Sequence, residues 1–116
     1  MSEKSQKFQE ERDRLNEIVM QYAGLTTKRF FNLDTQVYEP GALPQHTKEL
    51  LGLVASLVLR CDDCIHYHLL RCYEAHLTDN QLEEALAIGL IVGGSITIPH
   101  LRRALQLWEE LKTSSE

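Results

Sequence analysis

Apolar residues recur along this chain at helical rather than strand spacing. Phe8, Leu15, Ile18, Val19 and Tyr22 repeat with charges between them, so the N-terminal stretch to Tyr22 reads as an amphipathic helix that Gly24 ends. A second, shorter segment runs from Thr27 to about Tyr38. Glu39-Pro40-Gly41-Ala42-Leu43-Pro44 is the clearest loop, and Pro44 suits the first turn of the helix after it. That helix carries Leu50, Leu51, Val54, Leu57 and Val58 toward Arg60. Asp62 and Asp63 fall in the first turn of the next, where the positive end of the helix dipole favours negative charge. Ile65, Leu69, Leu70 and Tyr73 are its apolar positions, as far as Ala75. Thr78-Asp79-Asn80-Gln81 predicts a capping box. The helix it opens runs through Leu82, Ala85, Ile88, Ile91 and Val92, becomes apolar on most sides, and is broken or bent at Gly93-Gly94. Leu101, Ala104, Leu105, Trp108 and Leu111 mark a last helix with Pro99 near its start. Ser95 to Ile98 is the one weak strand candidate. The pattern predicts an all-α fold of about six helices in a single domain over residues 1–116, with no repeat and no low-complexity segment.

Composition narrows the classes of function. With 43% hydrophobic and 25% charged residues over 116 positions, the chain is an ordinary globular one able to bury a core. The formal net charge of −5 and the lack of a basic patch with interleaved aromatics argue against nucleic acid. The longest apolar runs, Leu50 to Leu59 and Ala85 to Gly94, fall short of the ~20 residues a bilayer requires, so no membrane partner is expected. The stretch from Ser2 to Arg14 is too polar for a secretory signal. Three cysteines, an odd number, do not make a disulfide framework. These features point to a reducing cytoplasm, where a Cys-x-x-Cys pair is catalytic or metal-binding rather than a permanent staple.

Such a pair is present in Cys61-Asp62-Asp63-Cys64-Ile65-His66-Tyr67-His68. On a helix, Cys64 and His68 stand one turn apart on a shared face. The thiolate is the nucleophile, and a free cysteine with pKa about 8.5 is mostly protonated at neutral pH. With Cys61 at the N-cap, both sulfurs would face the positive end of the dipole, and His68 could take the Cys64 proton directly or through a water. Glu49, on the preceding helix, could orient that imidazole and stabilise its charged form; spacing alone allows this geometry without fixing it. A peroxide would turn the activated thiolate into a sulfenic acid, the second thiol would condense with it to a disulfide, and an external dithiol would reset the pair. The thiols carry the electrons, so no bound cofactor is required.

Glu49, Cys61, Cys64 and His68 together resemble the Glu…Cys-x-x-Cys-x-x-x-His pattern of the alkylhydroperoxidase D-like branch of the carboxymuconolactone decarboxylase family. The flanks agree: Lys48-Glu49-Leu50 before it, and Leu82-Glu83-Glu84-Ala85 followed by Gly93-Gly94 after it. The resemblance covers roughly Leu43 to Leu107 and implies an all-helical bundle, a homo-oligomer (trimer or hexamer), and reduction of hydroperoxides or disulfide exchange with an external dithiol reductant. It also implies that Cys64 is the peroxide-reactive thiol, Cys61 the resolving one, and His68 with Glu49 the proton relay. General Cys-x-x-Cys logic points the other way, since the N-terminal cysteine is often the more exposed attacker. One departure stands out: peroxidase members carry a histidine immediately before the second cysteine, and this chain has Asp63, whose charge disfavours a thiolate. The lactone-decarboxylating branch lacks the cysteine pair, which argues against decarboxylation.

Other readings of the same residues differ in class. Cys61, Cys64 and His68, with His66, His76 or Glu49, could supply metal ligands, although the spacing is not a standard zinc arrangement. A non-enzymatic redox sensor, or a family member with vestigial thiols, would use the same positions. Cys72 reads as a small buried residue, His66 as exposed or at an interface, and His76 and His100 as structural without identified partners. Tyr67 either packs or lines a pocket. The stripe from Leu82 to Val92 reads as core or subunit interface, and the charged face from Glu3 to Arg14 as solvated or contacting a partner helix, without catalytic content.

Overall fold

A computed structural model describes residues 1–114. Within them six α-helices form and no strand does: α1 (Glu3–Tyr22), α2 (Leu25–Val37), α3 (Gln45–Leu59), α4 (Asp62–Glu74), α5 (Asp79–Gly93) and α6 (Ile98–Ser114). The chain is all-α, as its periodicity predicts, and the element ends follow local chemistry. Ser2 caps α1 by accepting the Ser5 backbone N–H. Gly24, expected to end α1, is instead the N-cap of α2, so the second helix starts two residues before Thr27. Pro44 is the N-cap of α3. The capping box at α5 forms as the sequence predicts: Thr78 Oγ1 accepts from Gln81 N at 3.1 Å, and Gln81 Oε1 accepts from Thr78 N at 3.0 Å.

Two non-glycine residues adopt left-handed backbone, Arg60 (φ 60°) after α3 and His76 (φ 63°) after α4. Both end helices by returning N–H groups to the last turn: Arg60 N to Leu57 O with Cys61 N to Ser56 O, and His76 N to Tyr73 O with Leu77 N to Cys72 O. The turn at Arg60 folds α4 back along α3, which is what brings His68 beside Glu49.

The expected strand candidate is a 3₁₀ turn, Ser95–Thr97, entered through Gly94 at φ +82°. Thr97 is fully buried, and its Oγ1 donates to Gly94 O at 2.8 Å, a local bond that a ladder would have to displace.

Helices α3 to α6 make the core. Leu53 and Leu57 of α3, Ile65, Leu69 and Cys72 of α4, Leu82 and Leu86 of α5, and Ala104, Leu107 and Trp108 of α6 are buried against one another. Each set repeats at three or four residues, one face per helix. Trp108 anchors the far end: its Nε1 donates to Asp79 Oδ1 at 2.8 Å, while Lys112 holds Oδ2 at 2.6 Å. These bonds, Lys112 first and Trp108 second, hold the Asp79 carboxyl below its usual range.

The first two helices are attached differently. α1 buries only Ser5, and α2 buries no residue. Most of their apolar positions, among them Tyr22, Phe30, Leu33 and Val37, stay exposed, as do Ile88, Ile91 and Val92 on the outer face of α5. No helix is long and apolar enough to cross a membrane.

Candidate redox site

The α3–α4 turn builds the site. Cys61 is the N-cap of α4, with its Sγ accepting the Cys64 backbone N–H at 3.2 Å, so Cys64 falls in the first turn. The two sulfurs are joined in a Cys61–Cys64 disulfide, their Cα atoms 5.3 Å apart, a separation that one helical turn supplies. Cys61 is half-buried and Cys64 is exposed, the reverse of the usual order in such pairs.

One turn on, His68 is buried, and its ring is fixed from both sides. Nδ1 lies 2.8 Å from Oε2 of the buried Glu49. A carboxylate only accepts, so Nδ1 carries the proton and Nε2 presents the lone pair. Nε2 in turn lies 3.3 Å from the Tyr38 hydroxyl, and the Tyr38 ring is tilted against the imidazole at 5.2 Å. Gly52, one turn after Glu49 on α3, leaves the room this needs: a Cβ there would stand 2.8 Å from both His68 Cε1 and Tyr38 OH. Burial, then the charges of Asp34 and Glu49, push the Tyr38 hydroxyl above its ordinary pKa.

Cys64 and His68 line a cavity of about 450 Å³, together with Tyr67 of α4, Asp34 of α2, and Phe8, Arg12 and Leu15 of α1. The Arg12 guanidinium sits 4.0 Å over the Tyr67 ring, tying α1 to α4 across the cavity wall. Tyr67 therefore both lines the cavity and packs. Arg12, from the charged stretch expected to be solvated or to contact a partner helix, lies on the cavity wall beside the apolar Phe8 and Leu15. Phe8, Arg12 and Leu15 are spaced as one helical face, but no local signal tells what that face covers. Tyr38 and Gly52 were equally invisible, because each meets His68 only through the tertiary fold.

Glu49, Cys61, Cys64 and His68 are thus brought together, and the other candidates are not. His66, expected to be exposed or at an interface, is buried between α4 and α1: its Nε2 lies 2.9 Å from Ser5 Oγ and its ring stacks on Phe8 at 4.0 Å. Burial, then the charge of Lys4, pushes its pKa down. His100, expected to lack a partner, bonds Asp62 through Nδ1 at 2.7 Å, and Arg103 holds the other oxygen of that carboxylate at 3.1 Å. His76 ends α4. Cys72 lies in the core, and burial, then the Glu49 charge, pushes its thiol up to about 12. Among the described residues no group of three or more His, Cys, Asp or Glu side chains is disposed to hold a metal ion.

Comparison with known proteins gives the family. The model of the carboxymuconolactone decarboxylase family matches residues 24–107. A crystal structure of a family protein from Thermotoga maritima, with a suggested involvement in the antioxidative response, is 60% identical, covers 94% of this chain and 92% of that one, and superposes with a TM-score of 0.90. An apo structure of a family protein from Legionella pneumophila is 25% identical, with a TM-score of 0.75 over 99% of this chain and all of that one (100%). An uncharacterised protein of Cupriavidus necator is 29% identical over 104 residues, 84% of this chain and 92% of its own length. This chain belongs to the carboxymuconolactone decarboxylase family, and its Cys-x-x-Cys-x-x-x-His run is consistent with the alkylhydroperoxidase D-like branch.

Proposed function

We propose that this chain is a thiol oxidoreductase that reduces hydroperoxides, or exchanges disulfides, through Cys64 and Cys61, with His68 and Glu49 moving the proton. The observation that carries the reading is a single one: a Glu49-held histidine and the exposed Cys64 open on the same cavity, with Cys61 in disulfide contact. The suggested antioxidative involvement of the Thermotoga relative supports it.

In the reduced protein His68 Nε2 takes the Cys64 proton, and Glu49 steadies the imidazolium through Nδ1. The thiolate attacks one peroxide oxygen, the O–O bond breaks, and the imidazolium proton leaves with the alcohol, so that Cys64 becomes a sulfenic acid. The Cys61 thiol attacks that sulfur, the S–O bond breaks, and the hydroxide departs as water with the Cys61 proton. An external dithiol then reduces the disulfide by exchange, its two hydrogens ending on Cys61 and Cys64. The sum converts one hydroperoxide and one dithiol into an alcohol, a water and a disulfide. Exposure favours Cys64 as the attacker and the half-buried N-cap Cys61 as the resolving thiol.

The cavity wall of Phe8, Leu15 and Tyr67 suits an apolar hydroperoxide body. The chain works as a homo-oligomer, trimer or hexamer, through the apolar side chains that α2 and α5 leave exposed.

Intact-mass analysis of reduced protein with a small excess of organic hydroperoxide tests the assignment. Wild type is expected to lose two hydrogens rapidly, and Cys61→Ser to accumulate a trappable sulfenic acid at Cys64. Full peroxide turnover by Cys64→Ser, or wild-type reactivity no greater than that of a free thiol, would sink it.

A further inference from the structure

The imidazole of His68 has one lone pair to offer, and two donors are in a position to claim it. Glu49 occupies Nδ1, so only Nε2 accepts. The first donor is the Tyr38 hydroxyl at 3.3 Å, long for a bond from a hydroxyl and therefore readily exchanged. The second is the Cys64 S–H, one turn up the same helix face and lining the same cavity; it exists only when the Cys61–Cys64 disulfide is reduced.

We infer that Tyr38 is a redox-coupled cap on the base: its hydroxyl holds His68 Nε2 while the cysteines are joined and yields that nitrogen to the Cys64 thiol once they are reduced. The inference rests on the proposed thiol chemistry and adds to it a positioning residue. Tyr38 is aimed for this role. Lys48 Nζ donates to the carbonyls on either side of it, Val37 O at 3.0 Å and Glu39 O at 2.7 Å, staking its backbone to α3. Gly52 keeps open the space into which the hydroxyl reaches. The remaining ionisable groups around this point are Glu49 of α3, Asp34 of α2, Asp63, Tyr67, Arg71 and Cys72 of α4, and Glu11 and Arg12 of α1. None of them bonds Nε2, which leaves Tyr38 and Cys64 as its competitors.

The exchange transfers no electron and no net proton. When the pair is reduced, the Tyr38 O–H turns away with its proton, and the Cys64 proton passes to Nε2 as the thiolate forms. Competition from Tyr38 therefore makes Cys64 a weaker acid than His68 alone would make it. A neutral hydrogen bond contributes about 1 kcal/mol, a factor of about five in an equilibrium constant. Tyr38→Phe is thus expected to lower the pH midpoint of Cys64 alkylation in reduced protein by about 0.7 unit and to speed alkylation near neutral pH by up to about fivefold.

The experiment follows iodoacetamide labelling against pH, mapped to individual cysteines, in wild type, Tyr38→Phe, Tyr38→Leu and His68→Gln. Buried Cys72 serves as an internal fold check, since its labelling reports opening of the core. Tyr38→Leu, which loses the same hydroxyl, is expected to shift the midpoint in the same direction. An unchanged or raised midpoint in Tyr38→Phe overturns the cap, whatever the peroxide activity. A midpoint that His68→Gln leaves unmoved overturns both the cap and the proton relay. A lowered Tyr38→Phe midpoint in a protein without peroxide turnover upholds the cap and removes only the peroxidase reading.

Discussion

Asp63 stands beside Cys64 in the first turn of α4, and two electrostatic effects meet there. The helix N-terminus favours a thiolate on Cys64, and the exposed Asp63 carboxylate on the same cavity opposes it. Removing the charge with Asp63→Asn is expected to raise the rate of peroxide consumption at neutral pH by a few-fold, read by stopped-flow under single turnover; an unchanged rate would show that solvent already screens Asp63. Gly52 makes a second residue-scale prediction. The Cβ of Gly52→Ala would come within 2.8 Å of His68 and Tyr38, so the ring must move. Overpacking of this kind costs about 1–3 kcal/mol, and the displaced imidazole should reduce turnover at least about tenfold, by analogy with other misplaced catalytic groups. A melting curve and a peroxide assay on that variant separate the two effects. The cysteines and His68 are legible in the sequence because a helix puts residues four apart on one face. Tyr38 and Gly52 are not, because neither is near His68 until α3 and the end of α2 fold over it.

At the scale of elements, α1 walls the cavity while being only thinly secured to the core. It buries Ser5 alone, and its hold on α4 runs through Ser5 and Phe8 against His66 and through Arg12 on Tyr67. The pKa of His66 is pushed down by burial, so below the ordinary histidine value of about 6.5 the unfolded chain binds a proton that the folded one resists. That contribution to stability is present in full above about pH 6.5 and is lost as pH falls toward the depressed value. Hydrogen exchange in α1 is therefore expected to quicken as pH drops from about 7 to about 5.5, after correction for intrinsic rates, while α3 and α4 stay protected. His66→Gln should abolish the pH dependence, and persistence of the full effect in that variant would exclude His66 as its origin. The amphipathic pattern of α1 announces a helix with one apolar face. It does not announce that Phe8 of that face lies on a histidine, which is why the chain alone leaves His66 as either exposed or at an interface.

Over the whole molecule, the core lies in α3 to α6, while α2 and the outer face of α5 leave large apolar side chains in water. Phe30 is 69% and Ile91 83% exposed. Isolated exposed leucines are ordinary, but apolar positions in series along two helices are the surface through which the proposed homo-oligomer would form. Analytical ultracentrifugation is expected to give a mass several times that of one chain, and Phe30→Glu with Ile91→Glu to shift it toward the single chain. A wild-type protein that sediments as a single chain at micromolar concentration would remove the oligomer.

The sequence by itself determined the elements and singled out the candidate redox residues. Its helical periodicity, capping box and glycine breaks set the helices to within a few residues, because hydrogen bonds between residues three or four apart are local and the side chains that favour or stop them are adjacent in the chain. It also placed Cys61 at an N-cap and Cys64 one turn from His68. The tertiary structure placed Glu49, which the sequence had named, against His68, and it alone decided which hydroxyl meets that ring, which helix roofs the thiol, and that Ser95–Thr97 coils into a 3₁₀ turn about the buried Thr97. The placements around His68 depend on the angle at which one helix returns along another, and the turn at Arg60 sets that angle for α3 and α4 through a left-handed backbone that no hydrophobic pattern encodes.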